Sequence, residues 1–404
     1  MSNGDDLELL GKNRRASITM NRCNLLISAG GVKSRGSELL HTVIQGHAES
    51  DIVHDAILFY VKSESFTWKP QCIPFSDEQN RPAMTMRDTA AGIARTLVRR
   101  TRSKLTEEYA VAKARYASIR GAPVDLRYVF SHVDDETWLA LNTSGYRRSR
   151  TLQQLLPSMP DPGLQKDFIG NSGDAALGDA WVAYCLWGQL AGRYGRPIGA
   201  DSYVLDFGCG WGRTLRFFLK DVPADHLYGV DVLELAVNTC RETNKLCHFE
   251  LVQPTPPSQL PPDRFDLVYL YSVFSHLSES VHNQWLDEFY RILRPGGILI
   301  ATTWHRDYIQ WCEDARHGPK KWTHPDSRLA FIGNSEWLAR YDRGEFCHSP
   351  IGGGGGALDA TFYGETCIPE AYVRNKWTDR FEICEYLHAD FIRLWQDAIV
   401  ARKK

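Results

Sequence analysis

Short apolar runs alternate with helical patterns between residues 203 and 303, which predicts βαβ units around a parallel sheet. Five of the runs are predicted as strands: Tyr203–Phe207, Leu227–Val230, His248–Val252, Phe265–Tyr271 and Ile298–Thr303. Three segments between them have helical spacing: Thr214–Lys220, Leu233–Asn244 and Ser278–Leu293. Two later apolar runs, Phe381–Leu387 and Gln396–Ala401, are expected to pair as a hairpin-like edge of the same sheet.

The pattern outside this region is weaker. Residues 1–84 show no sustained periodicity, so their fold cannot be assigned from the sequence. The segment Leu156–Gly163 contains three prolines and indicates a domain boundary. We therefore expect an N-terminal region of unknown fold at residues 1–160 and a second domain at residues 165–404.

The alternation lapses between about His305 and Tyr363, which predicts an insertion in the second domain. The five consecutive glycines of Gly352–Gly356 must form a loop, because glycine weakens both helix and strand. Four tryptophans precede the loop, and their rings either line a ligand site or pack an inserted subdomain. We expect the stretch to act as a lid or acceptor loop.

Composition and charge describe an ordinary globular chain. It has 404 residues, of which 43% are hydrophobic and 24% charged, and its net charge is −2. This balance makes nucleic acid an unlikely partner for the whole surface. Residues 85–120, which have helical spacing, carry nine Lys/Arg against three Asp/Glu. That basic helix either contacts an anionic surface or is a solvated helix face with a narrow apolar stripe, and the second reading is favoured.

Targeting and metal signals are weak. None of the ten cysteines forms a C-x-x-C pair, which disfavours a structural zinc site, and no metal ligand set with convincing spacing is visible. The polar N-terminus does not resemble a signal peptide, so we expect a cytoplasmic protein with reduced thiols. No apolar run approaches the ~20 residues of a membrane span.

The most informative segment is Val204–Leu215, in which a buried strand runs into three glycines and then a helix. The glycines stand at Gly208, Gly210 and Gly212, where a ligand can approach the backbone without meeting a Cβ. A dinucleotide site has the pattern G-x-G-x-x-G, but Arg213 occupies the position of its third glycine. The spacing G-x-G-x-G favours a nucleoside cofactor without a pyrophosphate.

At this point the sequence resembles the class I S-adenosylmethionine-dependent methyltransferases, over roughly residues 165–402. The resemblance implies an α/β fold with a Rossmann-like seven-stranded, mostly parallel sheet flanked by helices, and S-adenosyl-L-methionine as cofactor. It implies that Asp206 organises the loop and the cofactor's amino group. It also implies that Asp231, at the end of the second strand, accepts both ribose hydroxyls. Further residues placed beside the cofactor are Gly208, Cys209, Gly210, Gly212, Val232, Gln253 and Ser272.

Two stretches differ in how well they match the family. The segment Tyr271–Ser278 resembles the loop after the fourth strand, and Arg291–Gly297 resembles the helix exit before the fifth. Many members place an Asp after the third strand for the adenine amino group, whereas this chain has Gln253 followed by five prolines up to residue 262. Either Gln253 or a backbone group is expected to make that contact.

Methyl transfer to a hydroxyl requires a group that removes its proton, whereas a carboxylate acceptor needs no base. Candidates lie beyond the carboxyl ends of strands four and five, where open α/β sheets bind their ligands. His276, His305 and Asp307 fulfil this condition, and His276 could equally order its own turn. Tyr363 and Glu365 are further candidates on the acceptor side.

Three functional readings remain open on the sequence. The first is a methyltransferase acting on a hydroxyl or carboxylate of a small molecule or glycan. The second is a catalytically silent cofactor-binding protein with a regulatory or scaffolding role. The third is a nucleic-acid methyltransferase that uses the basic helix.

Overall fold

The computed structural model of the chain describes residues 17–21, 24–28, 106–116, 124–317, 328–391 and 393–404. The chain divides into two compact units, Met1–Thr85 and Met86–Lys404. In the first unit, strands β1 (Ser17–Asn21) and β2 (Asn24–Ser28) form an antiparallel hairpin.

The second unit is built around a seven-stranded sheet. Among its described residues, the second unit contains nine strands in all: β3 (Val204–Phe207), β4 (Leu227–Asp231), β5 (His248–Leu251), β6 (Phe265–Leu270), β7 (Leu293–Thr303), β8 (Cys347–Pro350), β9 (Gly364–Cys367), β10 (Phe381–Leu387) and β11 (Asp397–Lys403). Seven of them lie in the order β10-β11-β7-β6-β3-β4-β5. β11 is antiparallel to β7 and β10. The pairs β3–β4, β3–β6, β4–β5 and β6–β7 are parallel. The predicted seven-stranded, mostly parallel sheet and its terminal hairpin are confirmed.

The strand bounds agree with the predicted ones within two residues, except for β7. This strand begins at Leu293, five residues before the predicted start at Ile298. The register against β6 jumps from Phe265–Leu293 to Leu267–Ile298, so Pro295–Gly297 lies in a bulge inside the ladder. A Cβ on Gly297 would stand 2.8 Å from the Phe265 carbonyl oxygen, and glycine therefore permits this close approach.

Helices cover both faces of the sheet and precede it in the chain. The described helices are α1 (residues 106–116), α2 (Leu126–Phe130), α3 (Asp135–Ala140), α4 (Tyr146–Arg148), α5 (Arg150–Leu155), α6 (Pro162–Ile169), α7 (Gly173–Tyr194), α8 (Glu234–Thr243), α9 (Glu279–Ile292), α10 (Arg306–His317), α11 (Asn334–Asp342) and α12 (Glu370–Lys376). A π-helical turn, Leu141–Gly145, joins α3 to α4. The predicted helix Thr214–Lys220 is a 3₁₀ helix over Leu215–Lys220.

Alternate residues of each strand feed two separate cores, because successive side chains point to opposite faces of a sheet. Val204 packs in the first core and Leu205 in the second. The first core contains the buried rings of α7 and the 3₁₀ helix, and the second contains those of α9 and α12. The strands are thus buried on both faces, as expected for a parallel sheet covered by helices.

The helices before residue 160 pack into the first core. Trp138 is fully buried, and its Nε1 donates to the Phe217 carbonyl at 2.9 Å. Arg216, also buried, donates from Nε to Asn142 Oδ1 at 3.2 Å. These contacts favour grouping the described residues 124–156 with the sheet, so only the proline-containing segment supports the proposed boundary near residue 160.

Part of the basic helix lies within the described residues. Residues 106–116 are helical, and the rest of the 85–120 segment lies outside the described residues. Lys113 Nζ stands 4.4 Å from the Tyr128 ring centre, and Glu107 pairs with Arg148 at 2.6 Å. These charges pack against neighbouring helices.

The predicted insertion at 305–363 is more regular than its sequence pattern indicates. It contains α10, α11 and β8, and the glycine run lies in the loop that joins β8 to β9. No helix among the described residues is long and apolar enough to cross a membrane.

Candidate functional site

The three glycines after β3 adopt left-handed backbone conformations, with φ of 75° at Gly208, 53° at Gly210 and 73° at Gly212. A Cβ on Gly208 would lie 2.4 Å from Val273 Cγ2, so the loop passes directly under the segment that follows β6. The Gly208 amide donates to the Val230 carbonyl at 2.8 Å, which ties the turn to β4. The result is a bare backbone cradle at the carboxyl ends of the central strands, where open α/β sheets bind ligands.

Asp231 closes one side of this cradle. Its Oδ2 accepts the Gly210 amide at 2.9 Å, and its Oδ1 accepts the Leu233 amide at 3.0 Å. Burial raises the pKa of the Asp231 carboxyl, and the backbone hydrogen bonds from Leu233, Gly210 and Val232 oppose that rise. Each carboxylate oxygen retains a further lone pair, so the group can receive the two hydroxyls of a ribose.

Asp206 is the second acid of the cradle and is only 4% exposed. Burial raises its pKa to about 7, while the Tyr269 hydroxyl and the Arg213 guanidinium act to lower it. A carboxylate in such a site favours a ligand that brings positive charge.

A polar network holds Ser272 at the end of β6. Ser272 has a left-handed φ of 63°, and its amide donates to Thr302 Oγ1 at 2.7 Å. Thr302 in turn donates to Gln396 Oε1 at 2.6 Å, and Gln396 Nε2 donates to Ser272 Oγ at 3.0 Å. Gln396 was not singled out by the sequence, because it lies 124 positions from Ser272 and nothing local marks it.

The remaining predicted cofactor residues lie at the same edge of the sheet. Cys209 follows Gly208, with its Sγ 3.9 Å from Cys240 Sγ. Val232 follows Asp231 and is half-buried. Gln253 is exposed two residues beyond β5, whose last residue, Leu251, pairs with Asp231. Gln253 thus stands near Asp231, and its contact with adenine stays a proposal.

His276, one of the three predicted bases, is held by the segment that contains β9. Its Nδ1 lies 2.9 Å from the Gly364 carbonyl oxygen, and its ring stacks on Tyr363 with centres 4.9 Å apart. Burial lowers the pKa of His276 to about 4, so the imidazole is neutral near pH 7. A neutral ring that donates Nδ1–H to a carbonyl carries its lone pair on Nε2.

The other two predicted bases are placed differently. His305 is buried at the end of β7, and its Nε2 has no hydrogen-bond partner among the described residues. Burial lowers the pKa of His305, and nearby Asp397 and Asp307 raise it. Asp307 is exposed in the first turn of α10, where an acid commonly supports a helix start. Asp307 therefore receives the least support of the three.

The glycine-rich loop lies close to both halves of the site. A Cβ on Gly356 would stand 3.4 Å from Leu233 Cδ2, next to Asp231. At the other end of the loop, Tyr363 stacks on His276. Glu365 accepts a hydrogen bond from Trp304 Nε1 at 2.5 Å, immediately beyond the loop. This position suits the predicted lid or acceptor loop.

Two residues beside the cradle were missed by the sequence reading. Arg213 follows the last glycine, and its guanidinium carbon lies 5.2 Å from the Tyr271 ring centre. Phe168 of α6 approaches Gly210, whose Cβ would stand 3.7 Å from Phe168 Cδ1. The position of Arg213 directly after the three glycines could have marked it in the sequence as a site residue. No local pattern marks Phe168. No cluster of three potential metal ligands occurs in the part of the chain that the structure describes.

Comparison with known proteins agrees with this geometry. Residues 204–297 match the family model described as a methyltransferase domain. The phosphoethanolamine N-methyltransferase of Plasmodium falciparum is 30% identical over 109 residues, 26% of this chain and 40% of that protein. A tRNA N(3)-methylcytidine methyltransferase of Schizosaccharomyces pombe is 26% identical over 34% of this chain and 46% of that protein. The chain thus spans less than half the length of these curated relatives.

Among solved structures, a putative S-adenosylmethionine-dependent methyltransferase from Listeria monocytogenes is 16% identical. The match covers 56% of this chain and 99% of that one, with a TM-score of 0.38. The family match, together with the sheet order, identifies a class I, Rossmann-like methyltransferase domain of the S-adenosylmethionine-dependent kind.

Proposed function

We propose that this chain, which carries a class I methyltransferase domain, transfers a methyl group from S-adenosylmethionine to a hydroxyl of a small molecule or glycan. The observation that carries the proposal is the cradle formed by Gly208, Gly210 and Gly212 beside Asp231. A side chain on Gly208 would fill the space under Val273, and the Asp231 carboxylate is oriented by two backbone amides. These features fit an adenosyl ligand.

The residues divide the work between binding and proton transfer. S-adenosylmethionine supplies the methyl group as an activated sulfonium. Asp231 would hold the ribose, Asp206 would face the ammonium of the amino-acid end, and the Ser272 network would keep the loop after β6 in place. Such positioning brings the acceptor in line with the reacting carbon, which can lower the barrier substantially.

A neutral imidazole near the acceptor supports a hydroxyl as the methylated group. When the acceptor oxygen forms its bond to carbon, its proton must leave, and His276 Nε2 can accept it while Nδ1–H stays on the Gly364 carbonyl. A carboxylate acceptor would not require this group. His305, with its buried Nε2, is the alternative base.

The curated relatives do not decide the acceptor, because their names include both phosphoethanolamine and tRNA. The described part of the basic helix packs Lys113 and Glu107 against neighbouring helices and gives no support to a nucleic-acid acceptor. We therefore infer that the acceptor is a hydroxyl from the proposed role of His276 as a base.

The test measures binding and turnover separately. S-adenosylhomocysteine is titrated into the protein by calorimetry, and methyl-labelled cofactor is then incubated with fractionated small molecules, glycans and RNA. We expect saturable binding and label in a small-molecule or glycan fraction. Absence of binding would overturn the methyltransferase proposal, label in RNA would overturn the acceptor class, and binding without any label would favour the silent cofactor-binding reading.

A further inference from the structure

His305 carries a buried nitrogen that is not paired within the protein. The residue lies just beyond β7, at the carboxyl edge of the sheet, and is 6% exposed. Its Nε2 has no hydrogen-bond partner among the described residues. Buried polar atoms are normally paired, because an unpaired one has lost its hydrogen bonds to water without replacement. An unpaired nitrogen in this position fits a ligand that supplies the hydrogen bond.

Aromatic rings surround this imidazole and extend from it to the surface. Trp311 of α10 meets the His305 ring edge to face, with centres 4.7 Å apart, and Phe391 does so at 5.2 Å. Phe391 also lies 5.4 Å from Trp311 and 6.1 Å from Trp395. Phe391 is 42% exposed and Trp395 57% exposed, so two large rings face solvent beside the buried nitrogen. Several aromatic rings around one polar atom are typical of sites for planar organic molecules.

Phe391 is the ring that a ligand can replace. His305 Nε2 is closed to solvent, so a ligand reaches it only when a neighbouring ring moves. Trp311 belongs to a helix, whereas Phe391 lies in the loop between β10 and β11 and has a left-handed φ of 56°. A phenylalanine in that conformation is strained, because its Cβ crowds the backbone. A backbone change that turns Phe391 outward relieves the strain and uncovers the nitrogen.

These rings adjoin the segment that covers the cofactor cradle. Gln396, next to Trp395, donates to Ser272 Oγ at 3.0 Å. The Ser272 amide donates to Thr302 Oγ1 at 2.7 Å, and His305 follows Thr302 by three residues. A molecule bound against His305 is therefore held next to the loop after β6, where a methyl acceptor must bind to meet the cofactor.

We propose that the methyl acceptor carries a phenol ring, which takes the place of Phe391 against Trp311 and pairs its hydroxyl with His305 Nε2. This inference rests on the proposed function and narrows its acceptor from small molecules and glycans to aromatic compounds. The ring reproduces the edge-to-face contacts of Phe391. The hydroxyl adds the hydrogen bond that Phe391 cannot make, and since it both donates and accepts, it suits either tautomer of the imidazole. It anchors the ring and is distinct from the hydroxyl that His276 is proposed to deprotonate.

The test uses three small probes that separate the ring from the hydroxyl: 4-fluorophenol, fluorobenzene and 4-fluorocyclohexanol. Their dissociation constants are measured by fluorine NMR titration with S-adenosylhomocysteine present. The proteins are the parent, His305→Phe, Phe391→Ala and the control Tyr128→Ala, whose residue is exposed on α2. Calorimetry with S-adenosylhomocysteine shows that each variant is folded and retains its cofactor site.

We expect the parent protein to bind 4-fluorophenol about 10-fold more tightly than either other probe, as for one hydrogen bond to a buried atom that is otherwise unpaired. His305→Phe should abolish the difference between 4-fluorophenol and fluorobenzene. Phe391→Ala should bind 4-fluorophenol about 10-fold more tightly than the parent protein does, because no ring has to be displaced. Tyr128→Ala should match the parent protein.

Four results would overturn the inference. Equal affinity of the parent protein for 4-fluorophenol and fluorobenzene would mean that His305 pairs with no ligand hydroxyl. Equal affinity for 4-fluorocyclohexanol would mean that the site takes aliphatic alcohols such as sugars. Weaker binding of 4-fluorophenol by Phe391→Ala would mean that Phe391 is a fixed wall. Absence of binding for all three probes, with S-adenosylhomocysteine binding intact, would refute the inference alone, whereas loss of S-adenosylhomocysteine binding in the parent protein would refute the proposed function.

Discussion

The backbone amide of Gly210 donates to Asp231 Oδ2 at 2.9 Å, which joins the glycine loop after β3 to the acid that ends β4. Together with the hydrogen bond from the Gly208 amide to the Val230 carbonyl, it holds the two halves of the cradle beside each other. Both partners come from local sequence features, 21 positions apart.

Asp231→Asn is expected to weaken binding of any adenosyl ligand. The amide keeps one acceptor oxygen for a backbone amide but loses the charge and one acceptor, so we expect a loss of about 10- to 100-fold. Because the ribose is common to S-adenosylhomocysteine and 5′-methylthioadenosine, calorimetry should show the loss for both. Asp379→Asn, an exposed position away from the cradle, is the matched control. Affinities equal to those of the parent protein would contradict the ribose role.

Gly208→Ala tests the cradle itself. The substituted Cβ would meet Val273 at 2.4 Å in a backbone with φ of 75°. Left-handed strain alone costs about 1–2 kcal/mol, so urea denaturation should show a loss of at least this size, and cofactor binding should fall with it. Gly178→Ala, on α7 with open space around its Cβ, should be neutral or gain about 0.5–1 kcal/mol. Equal stabilities for the two variants would contradict the close approach.

Asp206 predicts a pH dependence of cofactor affinity. Its pKa is raised to about 7 in the free protein, and an ammonium at the site favours the ionised form. Binding of S-adenosylhomocysteine therefore releases a proton below about pH 7, and affinity should fall by up to about tenfold per pH unit there. Calorimetry in buffers of different ionisation enthalpy measures the proton. The same series with 5′-methylthioadenosine, which lacks the ammonium, or with Asp206→Asn should show a smaller slope; an unchanged slope in both cases would refute the assignment.

His276→Gln should separate binding from turnover. As the proposed base, the imidazole contributes on the order of 100-fold or more to the rate, whereas it makes no expected contact with the cofactor. Turnover should fall by that factor with S-adenosylhomocysteine affinity intact, and His317→Gln on the exposed end of α10 should match the parent protein. Since the pKa of His276 is lowered to about 4, kcat/KM should decrease only as the pH falls toward 4. Unimpaired turnover in His276→Gln would transfer the role to His305.

We expect the buried His282 to make the stability of the fold decrease at acid pH. It is fully buried among Phe274, Phe346, Tyr372 and Trp377, and burial lowers its pKa to about 3. Between pH ~6.5 and that value only the unfolded chain takes up the proton, so stability falls as pH drops, by about 1.4 kcal/mol per unit. His282→Phe removes this contribution. Its stability relative to the parent protein should rise by about 1 kcal/mol between pH 7.5 and 5.5 in urea denaturation; a constant difference would refute the explanation.

Several elements were predictable because their signals are local. The β3–glycine–helix segment and Asp231 follow from residue types within some 30 positions, and the alternation of short apolar runs predicts the sheet. The early start of β7 was missed because Pro295–Gly297 is normally a helix terminator, and only the approach of Gly297 to Phe265 turns it into a bulge. The helices α10 and α11 were missed, although the buried residues of α10, at positions 308, 309, 312 and 315, do follow helical spacing. α11 has no fully buried residue that would mark one face.

Local sequence was sufficient for the fold class and for the glycine-rich turn after β3, because these depend on short-range periodicity and on glycine positions. The roles proposed for Asp206 and Asp231 follow from the family resemblance. Three features depend instead on the folded structure: the contact of His276 Nδ1 with a carbonyl, the support of Ser272 by Gln396, and the approach of the glycine-rich loop to Leu233. The residues joined by the hydrogen bond of His276 are 88 positions apart, and those joined by the hydrogen bond of Gln396 are 124 positions apart. Contacts over such separations arise when strands and loops that are far apart in the sequence converge at one edge of the sheet, and no local pattern encodes them.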